Sequence, residues 1–334
     1  GLSTTLSCVI GDGDMKPLAT LVTEEAMDYT IPAGKAFFID KSYTVNNLVV
    51  NGKLFCRNDI VDPITITVRS ITISGEGALF ECGNESERYS GKITFKFIDD
   101  GIIMPPGHNH TAATATMSAV DGGTLRLFGD RVPNFGWQRI KADSLAGAST
   151  VQLERAVGWQ VGDLVALGPS GFNFAEAEER TITAVASDGL SITVDKPFTY
   201  NHRAFTKQYS EGARTATLDE RPEIANLSRN IVITTAGDVA TLNQTQRGVG
   251  VVIRAGGSGF VDGVEIARGG KLGQLGEYPF HWHLAGDVPG QFLRNSTIHH
   301  SYQRCVTIHG SNYSEVSDNV CFDHLGHGYF FEQG

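Results

Sequence analysis

Short runs of alternating apolar and polar residues, broken by Gly, Asn and Asp, fill most of this chain, and helical periodicity is almost absent. The runs recur. Val45-Asn46-Asn47-Leu48-Val49-Val50-Asn51-Gly52 matches Val68-Arg69-Ser70-Ile71-Thr72-Ile73-Ser74-Gly75 at an offset of 23 residues, and further runs follow at 92–97 and 124–128. Near the C-terminus Arg294-Asn295-Ser296-Thr297-Ile298-His299-His300 aligns with Asp318-Asn319-Val320-Cys321-Phe322-Asp323-His324 at an offset of 24, which sets Ile298 over Phe322 and His300 over His324. Val306-Thr307-Ile308-His309 and Tyr329-Phe330-Phe331-Glu332 align at 23, and Phe280-His281-Trp282-His283 falls into the same frame one coil upstream. Short strands repeating at this period predict an all-β fold, a parallel β-helix (solenoid) of stacked coils.

One section breaks the pattern. Strand-like runs at 149–153, 163–167, 180–185 and 191–194 are separated by turn text such as Ser187-Asp188-Gly189, and predict antiparallel hairpins. The organisation expected is an N-terminal segment at 1–28, β-helical coils at 29–130, an inserted antiparallel section with a polar loop at 131–222, and C-terminal coils at 223–334.

Stacking turns sequence spacing into columns of side chains. Alternate strand residues share a face, so Val306, Ile308, Tyr329 and Phe331 are expected inward, and Thr307, His309, Phe330 and Glu332 outward. His283, His309 and Glu332 then form an outward column spaced by ~4.8 Å per coil, with His281 beside it. Imidazoles and a carboxylate in such a column are a candidate set for a divalent metal, zinc or calcium. Glycoside cleavage needs two carboxylates about one bond, for which Glu332 with Asp323 or Glu265 are available. Lytic elimination needs a base and a neutraliser of uronate charge, roles that His281 or another histidine and Arg304 can fill. The competing expectation is architectural: in-register polar residues ladder with their copies, as His300 would over His324. Trp137 and Trp159 are expected to pack, and Glu176, Glu178 and Glu179 to form a solvated edge.

Composition narrows the partners. The formal net charge of −10 over 334 residues argues against nucleic acid, whose phosphates need a basic face. No apolar run reaches the length of a membrane span, and the N-terminal GLSTTLSC lacks a basic-then-apolar signal. Tyr329 to Gly334 stop inside a strand pattern, so a longer polypeptide, self-association or a further chain is expected at that end. Six Asn-x-Ser/Thr sequons favour an extracellular glycoprotein; Asn84, Asn109, Asn243 and Asn312 lie in loop-like text, whereas Asn226 and Asn295 are poorer acceptors. Of five cysteines, Cys56 and Cys82 fall close in the repeat frame, as do Cys305 and Cys321, leaving Cys8; bridges and buried thiols are both open.

Several motifs together carry a resemblance. Ile31-Pro32-Ala33-Gly34-Lys35, Val50-Asn51-Gly52-Lys53-Leu54-Phe55, Gly75 through Gly83 and Gly122-Gly123-Thr124-Leu125 resemble the extracellular domain named for its eight glycines, placed at 29–130. Gly158-Trp159-Gln160-Val161-Gly162-Asp163, Tyr278-Pro279-Phe280-His281-Trp282-His283, Arg304-Cys305-Val306-Thr307-Ile308-His309-Gly310 and Gly326-His327-Gly328-Tyr329-Phe330-Phe331-Glu332 are similar to the family of fibrocystin-like proteins, the cell-surface hyaluronidase and the cell migration-inducing hyaluronan-binding protein. Phe128-Gly129 departs from the His-Gly of many relatives, so a role resting on that histidine does not carry over. The resemblance implies a right-handed parallel β-helix, secreted or at the cell surface. Two function classes stay open: a protein that binds, or depolymerises, a polysaccharide or cell-surface glycan, and a non-catalytic glycoprotein scaffold.

Overall fold

The computed structural model describes residues 15–101, 115–132 and 135–333. Among these, three long parallel sheets run the length of the molecule, two of eight strands and one of seven. The chain visits them cyclically, one strand per sheet per coil, as in Asn47–Val50, Lys53–Cys56 and Ile64–Val68. The sheet holding Met15–Pro17 is the first, that holding Tyr43–Thr44 the second, and that holding Tyr29–Ile31 the third.

The alternation read from sequence sets the core. In the third sheet Ile31, Val50, Ile73, Ala119, Ile253, Trp282, Ile308 and Phe331 form one continuous inward column. Its first six members have no exposed surface, whereas Phe331, on the last of the described coils, is 78% exposed. The 23-residue register holds for Leu48 over Ile71 and for Ile308 over Phe331.

The second sheet corrects the 24-residue alignment. Ile298 pairs with Cys321, not Phe322, and Ser301 pairs with His324, so no His300–His324 ladder forms. His300 and Asp323 instead take left-handed backbone, at φ 52° and 48°, at the corner where each strand ends. A strand has no such corner, and the local alternation fails there.

The antiparallel section is spliced into a single coil. It leaves after Thr124–Phe128 and returns at Ile231–Thr235, yet Ile93–Phe97 pairs directly with Ile231–Thr235 and Thr124–Phe128 with Ser258–Asp262. The β-helix therefore closes beneath it. The six-stranded insert has its own core, centred on Ile140, Val151, Leu153, Trp159, Leu167 and Ile224. It includes Glu223–Asn226, so it runs past the expected boundary at 222. A two-stranded hairpin, Thr206–Glu211 with Arg214–Asp219, projects from it.

Disulfides join Cys56 to Cys82 and Cys305 to Cys321, which settles the open cysteine alternatives in favour of bridges. Cys8 lies outside the described residues. No helix among the described residues is long and apolar enough to cross a membrane.

Candidate functional site

The third sheet carries Phe280–Asp287 and Val306–Asn312 side by side, with His281 opposite Thr307 and His283 opposite His309, as the repeat predicts. One coil below, Arg254 pairs with His283; one coil above, Glu332 pairs with His309. The outward column is thus Arg254, His283, His309 and Glu332.

The side chains sort themselves differently from the backbone. Glu332 does not join the imidazoles: it pairs with Arg304 at 3.1 Å and accepts a hydrogen bond from Tyr278 at 3.3 Å. Arg304 also donates to the Tyr278 hydroxyl at 2.9 Å and lies 3.7 Å above the Phe330 ring. Its guanidinium offers the carboxylate a fixed, charged donor at close range, which outweighs the imidazole of His309. The set that converges is His281, His283 and His309, whose ligand atoms all lie within 4.8 Å of one another. His309 Nδ1 is 3.2 Å from His283 Nδ1, and the His281 ring stacks 6.0 Å from that of His309.

His281 is outward of its sheet but not in solvent. The segment 268–279 folds across it: the Gly276 carbonyl accepts from His281 Nδ1 at 3.0 Å and the Tyr278 ring packs edge-on at 4.8 Å. That segment is pinned by buried Lys271, 3.1 Å from Glu277 and 3.6 Å from Asp99. Burial and the neighbouring His283 push the His281 pKa down to about 3; burial, His309 and Arg254 push His283 down to about 4. Both are therefore neutral at pH 7, the state in which imidazole donates a lone pair. His283 and His309 are half-buried, so solvent reaches the cluster from one side.

The other expected chemistry is not assembled. Asp323, the carboxylate expected to act with Glu332, is a largely exposed corner residue of the second sheet, 3.9 Å from His300, while Glu332 belongs to the third. Glu265 accepts from the Arg229 backbone N–H at 3.0 Å and faces His299 at 3.3 Å. Glu332 thus stands on a different sheet from both Asp323 and Glu265. Asn243 and Asn312 are exposed and Asn84 is half-buried; Asn109 lies outside the described residues. Trp159 packs as expected, but Trp137 is 41% exposed and borders a cavity of about 410 Å³ over the last coil, lined by inward-type residues such as Ile308 and Phe331.

Sequence reasoning missed a second histidine chain. Glu265, His299, His300 and Glu179 form a continuous line, with His299 Nδ1 2.7 Å from His300 Nδ1 and His300 Nε2 2.9 Å from Glu179. It docks the insert onto the second sheet. Glu178 and Glu179 are no solvated edge: Glu178 is buried against Arg180, His202 and the Thr199 and Tyr200 N–H groups. Contacts spanning 121 residues of sequence, from Glu179 to His300, leave no local pattern to find.

A parallel β-helix with an insert spliced into one coil and imidazoles gathered on one outer face defines a class, and comparison identifies it. Residues 18–141 match the G8 domain and residues 246–334 the CEMIP beta-helix, and all three clustered histidines lie in the second match. Fibrocystin-L of Mus musculus and of Homo sapiens are each 27% identical over 93% of this chain. Communication mutant protein F of Dictyostelium discoideum is 27% identical over 94%. The chain spans about 8% of the length of fibrocystin-L and 27% of that of the Dictyostelium protein.

Proposed function

We propose that this chain is an extracellular polysaccharide-binding β-helix that holds an anionic glycan across the coils of its third sheet. The observation that carries this reading is the in-register outward column Arg254, His283, His309 and Glu332, flanked by Arg304. It sets the half-buried imidazoles of His283 and His309 at strand spacing beside the Arg304–Glu332 pair, with Arg254 buried one coil below, a polar face along the stacking direction that suits a polymer. Two disulfides fit an oxidising, extracellular setting, and exposed Asn243 and Asn312 suit glycosylation. The family resemblance to hyaluronan-binding and hyaluronan-cleaving proteins supplies the substrate class. Because Glu332 is tied to Arg304 while Asp323 and Glu265 belong to another sheet, binding is favoured over two-carboxylate hydrolysis.

Affinity electrophoresis against hyaluronan and sulfated glycosaminoglycans tests this. Retardation by at least one acidic glycan is expected, weakened at least tenfold in Arg304→Ala and His309→Ala, with polymer length followed in the same samples. No retardation by any glycan would leave the scaffold reading, which the net charge of −10 favours.

A further inference from the structure

We propose that His281, His283 and His309 form a zinc site with three protein ligands and one open position. The spacing of the first two is already that of a ligand pair. Tetrahedral zinc with Zn–N bonds near 2.0–2.1 Å holds its nitrogens about 3.3 Å apart, and His283 Nδ1 and His309 Nδ1 are 3.2 Å apart on adjacent strands.

The third ligand is prepared independently. His281 has no exposed surface, and its Nδ1 is engaged by the Gly276 carbonyl at 3.0 Å. Nδ1 therefore carries the proton, and the Nε2 lone pair is left available. That Nε2 is buried with no hydrogen-bond partner. A buried nitrogen acceptor without a partner costs free energy unless something occupies it. A metal ion between the three rings supplies the missing partner. A backbone carbonyl on the far nitrogen is also the usual outer support of a metal-bound histidine. With the three ligand atoms no more than 4.8 Å apart, closing the set to tetrahedral spacing needs only rotations of the half-buried His283 and His309 rings.

Donor chemistry selects the ion. Three imidazole nitrogens suit zinc or a similar borderline ion, whereas calcium takes six to eight oxygens. This narrows the earlier expectation of zinc or calcium, and places His281 where Glu332 was expected. Arg254, the strand partner of His283, opposes a dication, but buried Glu277 interacts with it and offsets that charge. The fourth position faces the solvent side of His283 and His309, where water or an oxygen of a bound molecule completes the tetrahedron. The site stands whether or not this face binds a glycan.

Zinc alone is the probe. The chain, loaded with zinc chloride and dialysed, should retain one equivalent by elemental analysis, and cobalt should give the intense visible bands of a tetrahedral site. His309→Ala and His283→Ala should each weaken zinc at least tenfold, while His327→Ala, outside the cluster, should not. Circular dichroism of the zinc-free variants should match the parent, since both replaced rings are half-buried. Zinc that is absent from the parent, or that survives the double variant His283→Ala/His309→Ala, overturns the site. Calcium retained in place of zinc overturns it equally. None of these outcomes depends on glycan binding.

Discussion

Buried carboxylates in this chain survive by being over-supplied with donors, and Glu178 shows what that does to stability. Burial alone would raise its pKa, but the Tyr200 and Thr199 N–H groups and His202 outweigh burial and bring it down to about 2. Arg180 adds a donor at 2.5 Å. An unfolded glutamate titrates near about 4.3. A folded pKa below the unfolded one gives stability that is fully present above about 4.3 and is lost as pH falls from there towards 2, on the order of 3 kcal/mol in all. Glu178→Gln should therefore melt lower than the parent at pH 7, and the gap should close as pH approaches 2. Thermal unfolding followed across that range checks it; a gap independent of pH would mean that packing, not charge, holds this position.

At the scale of the element, the decisive feature is the corner between the third and first sheets. Gly52, Gly123 and Gly257 each immediately precede a strand of the first sheet, and a Cβ there would lie 2.2–2.3 Å from a carbonyl oxygen of another coil. The coils stack at strand spacing only because these corners lack a side chain, which gives the repeated glycines of this region a physical reason. Gly123→Ala should cost about 1–3 kcal/mol. Gly158→Ala is the matched control, because nothing lies within 4 Å of its Cβ position, and it should be neutral or slightly stabilising. Comparing the two melting temperatures decides the point; equal shifts would refute the contact.

A different corner, between the second and third sheets, marks where the sequence pattern stops being legible. The third-sheet register was legible because Val306 and Ile308 against Tyr329 and Phe331 alternate without interruption. The second sheet slipped by one residue because Phe322, the larger apolar side chain, points away from the core while Cys321 packs against it. The left-handed residues His300 and Asp323 then end the alternation. Pairing of His283 with His309 was readable for the first reason. The burial of His281 and the diversion of Glu332 to Arg304 were not, because both depend on the segment 268–279, whose path follows no strand period.

At the scale of the whole molecule, the insert and the β-helix are two cores joined by a polar seam. The two sets of buried apolar residues share no member. What crosses between them is largely polar: Glu179 with His300, and buried Arg229, which donates to the backbone of Asn226 on one side and of Asn295 on the other. Seams of this kind resemble contacts between separable domains rather than a single core. The splice points are also close, since the Arg131 N–H donates to the Asn230 side chain at 3.2 Å, and the coil beneath is complete without the insert. Replacing 133–227 with two glycines should therefore leave a folded β-helix, with its β-type circular dichroism intact and a Tm lowered by the loss of the partners of Arg229 and His300. Zinc retention should be unaffected, because His281, His283 and His309 lie on the third sheet, whereas the insert docks on the second. If the shortened chain is instead unfolded or protease-sensitive throughout, the insert is part of the folding unit, and Arg229 and the Glu265–His299–His300–Glu179 line are the contacts that make it so.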